Sequence, residues 1–209
     1  MSKAVLITGF EPFNQFRVNS SWEGCRLVGK RMPAHVIARR LPVDHLAARE
    51  KLIRCLARHR PAICLCTGLT SSATFHIERV ARKPVQFHGI RGPRVLKGAW
   101  PWDEMAEQLR KAKCPAVVSN NAGQYVCEST YWTLLAFRQQ FGYPVYAGFL
   151  HVPPLSAVVT VEMIAKAAGC IIRARLEDAS DATHPKGRNP GLGPTTASTR
   201  RAPHRSARG

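Results

Sequence analysis

Two residues in this sequence have the types and settings for nucleophilic chemistry, Cys127 and His151. The run Pro115-Ala-Val-Val-Ser119 reads as a short apolar strand, and Cys127-Glu-Ser-Thr-Tyr-Trp-Thr-Leu-Leu-Ala-Phe137 as a helix with Thr130, Tyr131, Leu134 and Phe137 on one face. Between them, Ser119-Asn-Asn-Ala-Gly-Gln-Tyr-Val-Cys127 brings the cysteine to the start of that helix. There the unpaired N–H groups and the positive end of the dipole favour a thiolate. The same N–H groups can hold an oxyanion. A free cysteine taken alone is ordinarily core packing, so a base must accompany it. Tyr143-Pro-Val-Tyr-Ala-Gly-Phe-Leu150 reads as a buried strand that delivers His151 into the turn His151-Val-Pro-Pro154. A histidine at a strand exit suits a catalytic base.

The elements that must position this pair alternate along the chain. Strands are expected at Ala4–Thr8, Ala34–Ala38, Ile63–Thr67 and Phe75–Val80, then at Ala116 and Val145. Helices are expected at Ser21–Arg31, Ala47–Arg58, Pro101–Ala112, from Cys127, and at Thr160–Arg175. This βαβ rhythm predicts an α/β fold: a single-domain three-layer α/β/α sandwich with a mostly parallel sheet. Reactive groups in such sheets collect beyond the carboxyl ends of the strands. That rule gathers Gly9–Phe13, Gly68–Ser72, the Asn120 loop and His151 at one rim. The loop Thr8-Gly-Phe-Glu-Pro-Phe13 presents Phe10 and Phe13, which either cap the core or clamp a flat apolar ring.

Composition limits the alternatives. A chain of 209 residues with 45% hydrophobic content is long and apolar enough for one ordinary core. No apolar run reaches membrane-spanning length, and Met1-Ser-Lys-Ala-Val-Leu-Ile-Thr-Gly9 enters a strand without a signal-peptide pattern, so a cytoplasmic protein is expected. The seven cysteines have irregular spacing, and Cys64-Leu-Cys66 is too tight for a zinc pair. No metal is expected, and Cys25, Cys55, Cys64 and Cys66 read as packing. The charge of +18, from 31 basic and 13 acidic residues, raises the question of nucleic acid. Much of it, including Lys186, Arg188, Arg200, Arg201, Arg205 and Arg208, falls in a Pro/Gly/Ser/Thr-rich segment at 179–209, which composition predicts to be a disordered tail after a domain at 1–178. No aromatic-rich basic platform accompanies it, so the main reading does not include nucleic acid.

Four segments, in order over about residues 4 to 175, resemble pyroglutamyl peptidase I, the pyrrolidone-carboxylate peptidase family of cysteine peptidases. They are Val5-Leu-Ile-Thr-Gly-Phe-Glu-Pro-Phe13 with Val18-Asn-Ser-Ser-Trp-Glu23; Glu78-Arg-Val-Ala81; Val118-Ser-Asn-Asn-Ala-Gly-Gln-Tyr-Val-Cys127; and Gly148-Phe-Leu-His-Val-Pro153. The resemblance implies a triad of Cys127 as nucleophile, His151 as general base and acid, and Glu78 as the group orienting the imidazole. Read alone, Glu78 is more readily an ion-pair partner for Arg79 or Arg82. It further implies hydrolysis of an N-terminal 5-oxoproline from peptides with no cofactor, Phe10 and Phe13 flanking the ring, an oxyanion held at the Cys127 N–H, and a homotetramer. The chain departs from the family where Gly68-Leu-Thr-Ser-Ser-Ala73 lacks a glutamine and an arginine, and in a shorter interval before Cys127, where Arg91 is the candidate to stand near the oxyanion. A non-catalytic relative that binds nucleic acid or another acidic partner through the basic surface and tail is the alternative.

Overall fold

The computed structural model describes residues 5–14, 17–98 and 100–181. Strand β1 (Val5–Phe10) is buried along its whole length, as an inner strand covered on both faces must be. It is followed by α1 (Ser20–Arg31), β2 (Val36–Leu41), α2 (His45–His59) and β3 (Ile63–Leu69). Then come the short strands β4 (Phe75–Glu78), β5 (Val80–Arg82) and β6 (Val95–Lys97), with a single 3-10 turn at Val85–Phe87. The chain continues through α3 (Trp102–Lys111), β7 (Ala116–Ser119), α4 (Val126–Phe141), β8 (Tyr146–Val152) and α5 (Val161–Asp181).

Six strands form one sheet in the order β2-β1-β3-β8-β4-β7. Strand alternation sends Val5, Ile7, Ile63, Leu65 and Leu150 to the face packed with α1, α3 and α5. Leu6, Cys64, Cys66, Ala147 and Phe149 go to the face packed with α2 and α4. The expected three layers are therefore present, and Cys25, Cys55, Cys64 and Cys66 are all buried within them.

Four of the five pairings in this sheet are parallel; β4 against β8 is antiparallel. Strands β4 and β7 thus run opposite to the other four, which corrects the picture of a single carboxyl-end rim. The cause is local: the connection at 70–74 carries no helix, and without a crossover the chain comes back antiparallel. The single strand expected over Phe75–Val80 is broken at Arg79, where the chain leaves the sheet and turns into the β5–β6 hairpin against α4. His151 also lies inside β8, paired with Gly68 and His76, and not in the turn after it. Helix α5 runs past Arg175 to Asp181 and so takes in 179–181 of the segment expected as a tail; the remainder, 182–209, lies outside the described residues.

Candidate active site

Cys127 is the second residue of α4, whose N-cap is Tyr125. The Glu128 N–H donates to the Tyr125 carbonyl at 3.1 Å, but the Val126 and Cys127 N–H groups precede the first intrahelical acceptor, so the helix start directs donors toward the thiol's surroundings. The helix is buried on almost every side from Val126 to Leu135, which fixes its axis against β3 and β8. The thiol reaches the sheet only because residue 68 is glycine: a Cβ there would stand 2.5 Å from the Cys127 Sγ and 2.9 Å from the Phe149 ring. Gly68 is thus a vacancy shaped for the sulfur.

His151 Nδ1 hydrogen-bonds Glu78 Oε1 at 2.8 Å, with Glu78 fully buried and the His151 side chain 9% exposed. Glu78 pairs with Phe149 across the antiparallel ladder, one step diagonal from His151, and this reversed register brings carboxylate and imidazole together on one face. With Nδ1 taken by Glu78, the hydrogen bond to Cys127 falls to Nε2. Burial opposes the imidazolium, but Cys127 and Glu78 outweigh it and push His151 up to about 10. A buried glutamate is costly unless paired, and the imidazolium is its partner.

Cys127 and His151 open onto a cavity of about 650 Å³. Phe10 and Phe13 both line it. Phe10 ends β1 and is 2% exposed, so it belongs to the core as well as the wall and is not the exposed loop aromatic expected from sequence. Phe13 is half-buried. The loop holding Phe13 is anchored by Asn19, whose side chain donates to the Glu11 carbonyl at 2.9 Å while accepting the Ser21 N–H at 3.1 Å as the α1 N-cap. Gly9 permits this join, since a Cβ there would meet the Ser21 backbone at 2.6 Å. Arg91 is exposed in the loop before β6 and does not line the cavity.

Sequence reading passed over two further histidines in the wall. His76 lies opposite His151 in the ladder, with Nε2 at 3.2 Å from the Thr74 hydroxyl, and burial holds its pKa below the ordinary value. Its signal was present: two residues before Glu78 on a strand means the same face. His45 starts α2 just after β2 and hydrogen-bonds the Ser129 hydroxyl through Nδ1 at 3.0 Å. No Asp, Glu, Lys or Arg side chain is among the described residues lining the cavity, so it suits an uncharged group. Among the described residues no three His, Cys, Asp or Glu side chains come together as a metal would require, and no helix is long and apolar enough to cross a membrane.

The chain that carries this thiol, imidazole and carboxylate is similar to known proteins over most of its length. A family model described as pyroglutamyl peptidase matches residues 3–176. The pyrrolidone-carboxylate peptidase of Thermococcus onnurineus is 35% identical over 168 residues, covering 71% of this chain and 82% of the relative. That of Cupriavidus pinatubonensis is 33% identical over 171 residues, covering 73% and 79%. Among solved structures, a mutant pyrrolidone carboxyl peptidase from the hyperthermophile Pyrococcus furiosus superposes with a TM-score of 0.76 at 26% identity, covering 84% of this chain and 99% of that one. Pyroglutamyl peptidase I of Bacillus amyloliquefaciens gives 0.71 at 26% identity, covering 81% and 95%. With the family model spanning nearly all of the described fold and the Cys127, His151 and Glu78 segments inside it, the chain belongs to the pyroglutamyl peptidase family.

Proposed function

We propose that this chain is a cysteine peptidase that removes N-terminal pyroglutamate from peptides, with Cys127, His151 and Glu78 as its catalytic residues. The observation that carries the assignment is the buried 2.8 Å His151–Glu78 pair whose imidazole also serves the Cys127 thiol at the cavity wall. Glu78 holds the proton on Nδ1, which leaves Nε2 to exchange one with sulfur.

The 5-oxoproline ring is a neutral, flat lactam without a free amine, and the cavity, with Phe10 and Phe13 in its wall and no Asp, Glu, Lys or Arg among its described lining residues, matches it. Cys127 Sγ attacks the carbonyl carbon outside the lactam ring; a C–S bond forms and the carbonyl electron pair moves onto oxygen. Backbone N–H groups at the start of α4 receive that oxyanion. As the tetrahedral centre collapses, the C–N bond breaks and the His151 imidazolium gives its proton to the leaving amine. His151, now neutral, takes a proton from water, whose oxygen attacks the thioester; the thiolate leaves and free pyroglutamate departs.

The intact Cys127–His151–Glu78 arrangement favours the enzyme over a non-catalytic binder. A cytoplasmic setting and a homotetramer complete the proposal, read by cell fractionation and by light scattering of the eluting protein. The activity itself is tested by release of a fluorescent amine from a pyroglutamyl amide under reducing conditions. Release that is lost in a folded Cys127→Ala protein supports the assignment; a Cys127→Ala protein that turns over as fast as wild type overturns it.

A further inference from the structure

Glu78 stands where its strand leaves the sheet: it pairs with Phe149 of β8 and Ser119 of β7, and the Arg79 N–H after it donates to the Ser119 carbonyl at 2.8 Å. It is the last residue of a four-residue strand, Glu78↔Phe149 is the final pair of its ladder with β8, and the chain leaves the sheet at Arg79. Yet its carboxylate keeps a 2.8 Å bond to His151. Besides the backbone bonds of Arg79 to Ser119 and Gly98, three contacts that involve side chains hold the departing segment 78–82 against the nucleophile's helix and loop. The Tyr131 hydroxyl donates to the Glu78 carbonyl at 2.9 Å. The Arg82 N–H donates to the Glu128 carboxylate. The Arg82 guanidinium donates to the Asn120 carbonyl at 2.8 Å, in the loop just before Cys127. Glu128 is the residue after the nucleophile and is 3% exposed.

We propose that Glu128 is a positioning residue of the catalytic site, acting as the acceptor that ties the Glu78–Arg82 segment to the helix start carrying Cys127. Glu128 touches no reacting atom; its effect reaches the chemistry through Glu78 and then His151. An acid in a first helical turn suits the dipole, but burying it carries a cost. Burial pushes its carboxyl above the ordinary range, the Arg82 N–H and charge oppose this, Glu78 adds to the rise, and His151 opposes it. The position tolerates that penalty because an acceptor is needed there: without one the Arg82 N–H loses its partner and the segment loses one of its ties to the nucleophile's helix.

The proposal rests on the peptidase reading above, so its test separates the two. Wild type and Cys127→Ala fix whether the activity exists. Glu128→Ala, Glu128→Gln and Tyr131→Phe are then compared by kcat, KM, the alkaline limb of kcat/KM, and an NMR titration of the His151 ring that requires no turnover. Glu128→Ala is expected to lower kcat about 100-fold with little change in KM, as misplacement of a catalytic group by about 1 Å does. It should also bring the His151 titration down from about 10. Glu128→Gln retains an acceptor oxygen and is expected to restore both to near wild type. Tyr131→Phe, which removes a separate tie, should move the His151 titration in the same direction and keeps the proposal testable if Glu128→Ala does not fold. An active wild type whose His151 titration is unmoved in the variants that fold would overturn it. A Glu128→Gln protein as impaired as Glu128→Ala would do so too, since the charge and not the tie would then matter.

Discussion

Adjacent residues of β3, Thr67 and Gly68, face opposite sides of the sheet, and each meets a helix cysteine. On one side Cys25 of α1 lies 3.2 Å from the Thr67 hydroxyl, 1% exposed. Burial pushes its thiol up to about 12, with Thr67 opposing and Cys66 adding slightly. On the other side Cys127 of α4 fills the space that Gly68 leaves, beside His151 and a cavity. Both thiols are buried, both sit on helices, and both touch the same strand. What separates them is a place in the first helical turn, an imidazole held by a carboxylate and an opening onto a cavity. Helix placement and burial alone leave a thiol inert.

The most damaging way to erase that difference is to disable the base. In Glu78→Gln an amide replaces the acceptor of the Nδ1 proton, and the wrong imidazole tautomer becomes available. Turnover of a pyroglutamyl amide is expected to fall about 1,000-fold. The alkaline limb of the residual activity should move down from about pH 10, since a His151 imidazolium without its carboxylate loses its proton earlier. A limb that stays in place would separate Glu78 from the base.

Confining Cys127 as tightly as Cys25 comes next. Gly68→Ala places a methyl 2.5 Å from the Cys127 Sγ, so the sulfur must shift. Steady-state kinetics should show about a 100-fold loss in kcat/KM, with circular dichroism unchanged.

A smaller effect appears in stability against pH. His151 binds its proton more tightly folded than unfolded, so its interactions with Cys127 and Glu78 stabilise the fold fully below the ordinary imidazole range, and that contribution fades as pH rises from there through about 10. Urea midpoints of wild type and Cys127→Ala should therefore converge as pH climbs through that window. The smallest effect falls on the opposite face: Cys25→Ala should cost about 1 kcal/mol of stability and leave kcat/KM within about twofold.

The sequence made the proposed site residues legible because each sits near where an element starts or ends: Cys127 at a helix start, His151 near a strand exit, Phe10 at the end of β1 and Phe13 just after it. The layered fold followed from the alternation of strands and helices. Strand direction did not. Four residues such as Phe75–Glu78 carry alternation but no arrow, and only the helix-free connection before them betrays the reversal. Gly68 read as one member of a loop lacking family residues, because a close approach of sulfur is a three-dimensional fact. Glu128 looked like an ordinary acid in a first helical turn; its burial depends on the β5–β6 hairpin, whose three-residue strands carry too little pattern to read. Arg91 was a candidate only as a stand-in for the family's arginine, and it does not line the cavity.

The central claim is that Cys127, unlike the other thiols of this chain, is the nucleophile. A pyroglutamyl chloromethyl ketone tests it directly: the folded protein is treated with one equivalent, peptide mass spectrometry locates the adduct, and residual amide turnover is measured in parallel. The account predicts a single pyroglutamyl adduct on Cys127, loss of turnover in proportion to labelling, and Cys25 unmodified. An adduct on another residue, or full turnover from protein completely alkylated at Cys127, would contradict it.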